Sequence, residues 1–298
     1  MAAVATSREQ RRADARASRG LWRDAFSRLM RKGPALVGLF FITVFVLAAV
    51  LAPVIAPYGP LEGSLANRLQ PPSPEHWMGT DLQGRDEFSR VLYGARVSLI
   101  VGVGSVLMAL VMGGIIGALA GAAGGKLDNV LMRIIDVLLA IPGILLAIGI
   151  VAWLDRGLPQ IMLAIAVTNA PIFARILRGS LLANREVDYV SAARSLGSSR
   201  PRLLVRHMLP NSLTALIVAA TLALATAIID VAGLGFLGLG PADPRTPEWG
   251  TMLTDATKFL REAAWLIFFP GVAIVISAIG FNLLGDGLRE SLDPRLKR

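Results

Sequence analysis

The chain has 298 residues, of which 54% are hydrophobic and only 17% charged, and its mean hydropathy is +0.60. Because an average soluble domain is about 25% charged, this composition argues against an ordinary soluble protein. The net charge of +9 indicates either nucleic acid or a membrane surface as a partner, and the absence of cysteine excludes disulfides and cysteine-ligated metal sites. The only two histidines, His76 and His207, are too far apart in sequence to suggest a metal-binding cluster.

The apolar residues are concentrated in blocks long enough to cross a bilayer, which takes about 20 residues. Six blocks are predicted as transmembrane helices, at residues 34–56, 97–123, 129–153, 160–182, 213–236 and 264–284. The predicted fold class is therefore an all-α integral membrane protein with six transmembrane helices.

Polar segments separate these blocks and indicate an orientation. Most of the 30 Lys and Arg residues lie in the N-terminal tail (1–33), the loop 184–211 and the C-tail (287–298). Since cytoplasmic segments carry an excess of basic residues, both termini are predicted to be cytoplasmic, with 58–95 and 237–263 periplasmic. This topology accounts for the positive charge without nucleic acid.

The N-terminal tail is polar and arginine-rich, without the early apolar core of a cleavable signal peptide. Trp22, Phe26 and Leu29 recur at helical spacing among arginines. This spacing predicts an amphipathic helix that lies on the membrane surface.

The second block is rich in small residues, which allow close helix packing in a membrane. They are Gly102, Gly104, Gly113, Gly114, Gly117, Ala118 and Gly121. Helix packing is the preferred interpretation of these glycines over direct substrate contact.

Two carboxylates interrupt apolar blocks, Asp136 in the third and Asp230 in the fifth. An intramembrane carboxylate is costly and is therefore a candidate translocation-pathway residue. For Asp136, a structural ion pair at the cytoplasmic end is an equal alternative. Asp230 is either a receptor for a substrate amino group or a structurally satisfied carboxylate.

The loop 184–211 has the most informative pattern. Apolar positions between Val187 and Leu196 are typical of a helix, and Gly197 suits its C-terminal cap. Ser198 or Ser199 could cap a second short helix, and Pro210 marks entry into the fifth block. The loop is predicted to form two angled helices that dock into a partner's groove, and the alternative is a solvated basic loop attracted to anionic lipid.

This loop resembles the coupling motif of bacterial ABC importer permeases. Ala192, Ala193, Gly197, Leu209 and Pro210 match it, whereas Ser191 and His207 stand where Glu and Ile are common. Both departures agree with the dipeptide, oligopeptide and nickel branch, over Asp188 to Asn211. The resemblance implies an ATPase-coupling role for Asp188, Tyr189, Ala192, Ala193, Gly197, Arg206, His207, Leu209 and Pro210.

Other segments resemble the same branch, in particular its C-type dipeptide permease subunits. They are GTDLQGRDEFSRVLYGARVSL from residue 79, GLGFLGLG from 233, TPEWGTML from 246 and FNLLGDGLRESLDPRL from 281. The resemblance implies a periplasmic signature made of Gly79, Thr80, Asp81, Gly84, Arg85, Asp86, Glu248 and Trp249.

The resemblance implies a type I ABC importer permease fold, with a first helix (34–57) preceding a five-helix core (96–286). It implies a second, homologous permease subunit, two cytoplasmic ATPase subunits that bind ATP and Mg, and a periplasmic or lipid-anchored binding protein. The chain itself has no GxxxxGK[ST] loop and no marked nucleophile–base set, so neither a catalytic role nor a cofactor of its own is predicted. Dipeptides or short oligopeptides are the expected cargo; nickel or a metal chelate, and a membrane enzyme or scaffold, are the alternatives.

Overall fold

The computed structural model describes residues 26–243 and 245–292, and this part of the chain consists of helices and loops with two isolated β-bridges. Helix α1, Gly33–Ile55, is an apolar helix with Pro34 in its first turn. The amphipathic helix predicted for the tail lies mostly outside the described residues, which include one helical turn at 26–29. Within that turn Phe26 is exposed and Leu29 is buried.

Helix α2, Glu87–Ala123, begins ten residues before the predicted start of the second block. Asp86 caps it, since its side chain accepts a hydrogen bond from the Ser89 N–H at 2.8 Å. The prediction that residues 58–95 form a loop is therefore wrong for the last nine of them. This first part of α2 contains charged residues such as Arg90, so it does not belong to the apolar block that predicted the rest of the helix.

The third predicted block is two helices rather than one. Helices α3, Gly125–Ala140, and α4, Gly143–Leu154, meet at an angle of 93°. The break falls at Ile141, which has an extended backbone, and Pro142, whose φ of −53° and ψ of 127° are also not helical. Proline has no N–H to donate and disfavours the helical conformation of the preceding residue, which ends α3.

The second half of the chain contains two long apolar helices besides α5, Leu158–Arg185. After α6, Asp188–Ser195, the short helix α7, Arg200–Leu203, continues through a π-turn, Leu204–Met208, into α8, Leu209–Leu234. A turn at Gly235–Leu239 leads to α9, Trp249–Ala256, and the chain closes with α10, Trp265–Leu292. Among the described residues, five helices are long and apolar enough to cross a membrane, or six if α3 and α4 count as one span.

The most extensive packing in the bundle is between α2 and α5. A side chain at Gly113 or Gly117 would overlap the carbonyl groups of Ala170 and Ala174 on α5. Gly121 lies one turn further along the same face, against Leu181. The small residues therefore bring two backbones together, as predicted, whereas Gly114 faces open space.

A second apolar cluster joins α1, α2, α8, α9 and α10. Trp249 is fully buried in it, and its indole N–H donates to the Val91 carbonyl oxygen at 3.1 Å. Its ring packs edge-on against Phe45 and against the bare face of Gly94. The loop that carries α9 is thereby anchored onto the start of α2.

Candidate functional site

The coupling segment, residues 184–211, leaves the bundle at the end of α5. Val187 is extended, and α6 then begins at Asp188 with an acidic residue in its first turn and Arg194 in its last. These charges complement the helix dipole, with the anion at the N-terminus and the cation at the C-terminus. The predicted first helix is therefore present within one residue of its predicted bounds at each end.

Gly197 ends α6 in a left-handed conformation, with φ of +81°. The Ser198 N–H donates to the Ala193 carbonyl at 3.1 Å, and the Gly197 N–H donates to the Arg194 carbonyl at 3.0 Å. This pair of bonds is a Schellman motif, which satisfies the last carbonyls of a helix. Ser199 occupies the N-cap position of α7 but makes no capping bond with its side chain.

A polar cluster ties α6 back to the start of α8. The Asn211 side-chain amide donates to the Tyr189 hydroxyl oxygen at 2.7 Å and to the His207 carbonyl oxygen at 3.1 Å. The Tyr189 hydroxyl also lies 3.4 Å from that carbonyl oxygen. Tyr189 of the DYV motif thus meets two residues of the RHxLPN motif, which follow it by 18 and 22 positions.

Pro210 lies in the first turn of α8, at the entry into the fifth apolar block as the sequence suggested, and a π-turn joins α8 to α7 without a break. The π-turn just before Pro210 explains how a proline fits at this junction. A proline cannot donate to the carbonyl of the preceding turn and its ring crowds that carbonyl, and the wider π-turn relieves this crowding.

The coupling segment has one buried face and one exposed face. Val190, Leu203 and Met208 are buried in the main core cluster, with Ala193 and Leu209 packed partly against it. Leu196, at 88% exposure, and Val205, at 62%, point away from the bundle. Asp188, Ala192 and Arg206 are also exposed. One face of the segment is thus packed on the bundle, while its apolar tip is uncovered within the described chain.

The signature residues between α1 and α2 form a buried charge network. The Asp81 carboxylate accepts hydrogen bonds from the Arg85 N–H at 2.9 Å and from the Arg85 Nε at 2.6 Å, and Arg90 Nε lies 3.4 Å away. All three side chains are at most 10% exposed. Burial of two guanidinium groups against one carboxylate is stable only with such close geometry.

The remaining residues of this signature shape the same loop. Asp86 accepts from Ser89 and lies 3.0 Å from His76 Nδ1. The Thr80 hydroxyl donates to the Asn67 carbonyl, and its oxygen accepts from the Gln70 N–H at 2.8 Å. Gly79 and Gly84 both have positive φ, which an L-residue rarely adopts. All eight predicted signature residues have a hydrogen-bonding, packing or turn role in this part of the fold, since Trp249 packs on α2 and Glu248 caps α9.

Glu248 caps α9, as its carboxylate accepts from the N–H groups of Gly250 at 2.8 Å and Thr251 at 2.9 Å. Burial raises the pKa of the Glu248 carboxyl to about 7. The hydrogen bonds from the two N–H groups act in the opposite direction, because they favour the ionised carboxylate. Next to it, Gly250 packs directly on the Ala232 carbonyl of α8. The cap thus fixes both α9 and the neighbouring Trp249 against the bundle.

The two intramembrane candidates differ in their surroundings. Asp136 accepts a hydrogen bond from Arg175 Nη2 at 2.6 Å, and both side chains are about half exposed. Asp230, on α8, is partly buried and has no ion-pair or hydrogen-bond partner among the residues described. No group of three or more His, Cys, Asp or Glu residues in the described ranges is arranged to hold a metal ion.

Several site residues were not predicted from the sequence. Asn184 donates to Ser212 Oγ at 2.9 Å, which joins the end of α5 to α8. The Arg178 guanidinium donates a bidentate pair of hydrogen bonds to the Asp128 carboxylate on α3, from Nε at 2.5 Å and from Nη2 at 2.7 Å. Asn211 ends the coupling motif, but the resemblance implied no role for it. The partners are 28 and 50 residues apart, so no local pattern could have paired them.

Substitution of Asp81 by Asn is expected to destabilise the layer around the signature network. Removal of one partner from a buried ion pair typically costs about 3–5 kcal/mol, because the arginines stay buried without their counter-charge. Thermal unfolding of the purified complex should therefore begin at a clearly lower temperature. Asp243→Asn, which breaks the exposed pair with Arg245, is the control and should leave the unfolding temperature unchanged. Equal unfolding temperatures for the two variants would contradict the structural role of the network.

The long apolar helices of the described residues define a multi-pass membrane protein. Comparison with known protein families gives two matches that agree with this class. Residues 113–298 match the model for the binding-protein-dependent transport system inner membrane component, and residues 20–72 match the N-terminal TM domain of oligopeptide transport permease C. The chain belongs to the family of binding-protein-dependent transport system inner membrane components.

Curated relatives cover most of the chain. The dipeptide transport system permease protein DppC of Alkalihalophilus pseudofirmus is 48% identical over 93% of this chain and 90% of its own length. The di/tripeptide permease protein DppC of Pseudomonas aeruginosa is 44% identical over 88% of each chain, and the oligopeptide permease protein OppC of Bacillus subtilis is 40% identical over 94% and 92%. These relatives are permease proteins, so this chain is the non-catalytic membrane component of an ABC transporter.

A solved structure supports the fold independently. The MetNI methionine ABC transporter in an inward-facing form has a chain that aligns with a TM-score of 0.57 at 22% identity, over 67% of this chain and 95% of that one. The likeness is one of fold, and it confirms the ABC permease architecture that the sequence motifs implied.

Proposed function

We propose that the chain is a permease subunit of an ATP-driven importer that moves dipeptides or short oligopeptides across the bacterial inner membrane. The observation that carries this proposal is the coupling segment, a helix pair with one face buried in the bundle and an exposed apolar tip. The peptide names of relatives that are 40–48% identical over nearly the full chain support the cargo. Nickel or a metal chelate has no comparable support.

The remaining parts of the importer follow from this assignment. Both termini and the coupling segment lie in the cytoplasm, and the layer containing the Asp81 network and Trp249 faces the periplasm. A second, homologous permease subunit completes the translocation path. Two ATPase subunits bind ATP and Mg, and a periplasmic or lipid-anchored binding protein delivers the peptide.

The geometry suggests how coupling works. Val190 holds α6 in the core, and the cluster of Tyr189, Asn211 and His207 joins it to α8. A push on the exposed tip at Leu196 is therefore transmitted to a helix that runs through the bundle. A change in the ATPase pair can then shift the balance between two packings of the helices.

Uptake of a labelled dipeptide tests the proposed cargo. Cells that lack their own peptide importers receive this chain with the neighbouring subunits of its system, and uptake is measured with and without a tenfold excess of unlabelled tripeptide or nickel salt. Saturable dipeptide uptake that the tripeptide inhibits and nickel does not is the expected result. Nickel accumulation without peptide uptake would overturn the peptide assignment.

Asp230→Asn tests the proposed pathway role of this carboxylate. If the partnerless carboxylate receives the peptide amino group, its neutralisation should raise the apparent KM by roughly tenfold or more, because a hydrogen bond to a charged group contributes about 1.5–3 kcal/mol. Asp230→Glu, which keeps the charge, should restore most of the affinity. Unchanged transport kinetics in Asp230→Asn would remove Asp230 from the pathway.

A further inference from the structure

A groove lies between part of the coupling segment and α2, and neither the exposed tip at Leu196 nor the Tyr189–Asn211 cluster lines it. It lies between the last turns of α2 and the helices α6 and α7, and its volume is about 720 Å³. Three arginines, Arg185, Arg194 and Arg200, line one side, and Leu119, Leu203 and Met208 are among the apolar residues that line the rest. We call it the basic groove.

The arginines of the basic groove are available to a ligand. None of them has an ion-pair partner in the part of the chain that the structure describes, and no acidic residue lines the groove. Arg178, by contrast, is held by Asp128. Three guanidinium groups at one site create a strongly positive potential, and guanidinium is well suited to bind phosphate.

The apolar part of the basic groove continues along α2. Leu119 is the last of a row of exposed side chains spaced four residues apart, and these side chains form a continuous stripe down the helix. The row is Val103, Leu107, Val111, Ile115 and Leu119. The groove therefore offers a cationic site at one end and an extended apolar track beside it.

We infer that the basic groove binds the headgroup of an anionic phospholipid of the cytoplasmic leaflet, with an acyl chain lying along the exposed stripe of α2. An amphipathic anion matches both halves of the site, and basic clusters between membrane helices on the cytoplasmic side bind such headgroups. The leaflet follows from the proposed orientation, whereas the chemistry of the ligand follows from the groove itself. Because Arg194 and Ser198 flank Gly197, an occupied groove would also brace the coupling turn.

Lipid binding to the purified complex tests this inference without ATP or peptide, so its result is separate from that of the cargo assay. The complex is delipidated in detergent and titrated with fluorescent phosphatidylglycerol. Replacement of Arg185, Arg194 and Arg200 by Gln should weaken binding roughly a hundredfold, since each basic residue near an anionic surface contributes about fivefold. Arg202→Gln, an exposed arginine of α7 outside the groove, is the matched control and should change affinity less than twofold.

Three outcomes would overturn the inference. One is equal phosphatidylglycerol affinity in the triple variant and the wild type. Another is displacement of the lipid by millimolar inorganic phosphate, which would indicate a site for a free anion. The third is loss of the ATPase subunits from the triple variant with lipid binding retained, which would make the groove a protein-docking surface.

Discussion

Replacement of both Gly113 and Gly117 by Ala is expected to abolish most of the folded protein. A methyl group at position 117 would lie 2.5 Å from the Ala174 carbonyl oxygen, and one at position 113 would overlap the Ala170 carbonyl. Because the obstacle is backbone, no rotamer change can relieve it, and α2 must move away from α5. Overpacking of this kind costs about 1–3 kcal/mol at each site.

The control is the double variant Gly114→Ala and Gly149→Ala, since a Cβ at either position meets no atom within 4 Å. It adds the same two methyl groups to helices without a clash. Yield of monodisperse complex and thermal unfolding temperature are the measurements. We expect the control to behave like the wild type and the Gly113 and Gly117 double variant to give little recoverable complex. Equal yields of the two double variants would show that α2 and α5 do not pack this closely.

Gly197→Val is expected to uncouple transport while the protein still inserts and folds. A Cβ at position 197 meets nothing within 4 Å, so the whole effect comes from the backbone, which has φ of +81°. A left-handed conformation costs a non-glycine residue roughly 1–2 kcal/mol, and more when it is β-branched. Since about 1.4 kcal/mol corresponds to a factor of ten, peptide uptake should fall at least tenfold as the Schellman turn re-forms elsewhere.

Gly197→Asn is the matched control, because asparagine adopts the left-handed conformation with little strain. It should retain most of the uptake at an equal membrane level of the protein. If valine and asparagine variants transport equally well, the turn does not need its left-handed geometry for coupling.

The apolar blocks were predictable because a helix that crosses a bilayer needs about 20 mostly apolar residues in a row. Five of the six blocks correspond to single long helices. Helix α6 and the left-handed Gly197 were also predictable, since spacing and glycine identity are local signals. The start of α2 was missed because Glu87 and Arg90 look like loop residues until tertiary contacts bury them. The bend at Pro142 was missed because the apolar run continues through it.

The polar contacts of the site could not be derived from sequence alone. Asp136 meets Arg175 across 39 residues, and Asn211 meets Tyr189 across 22. Such pairs depend on how the helices pack against one another, and a hydropathy pattern does not predict that packing. A structural ion pair was one of the two roles predicted for Asp136, but only the folded chain identifies Arg175 as its partner.

ATPase activity of the complex that co-purifies with this chain, reconstituted in lipid, tests the central claim most directly. It is measured with candidate binding proteins, with and without dipeptide. The account predicts that peptide-loaded binding protein stimulates hydrolysis, and that Gly197→Val loses this stimulation while Gly197→Asn keeps it. A complex without any associated ATPase, or hydrolysis that responds to nickel and not to peptide, would contradict the account.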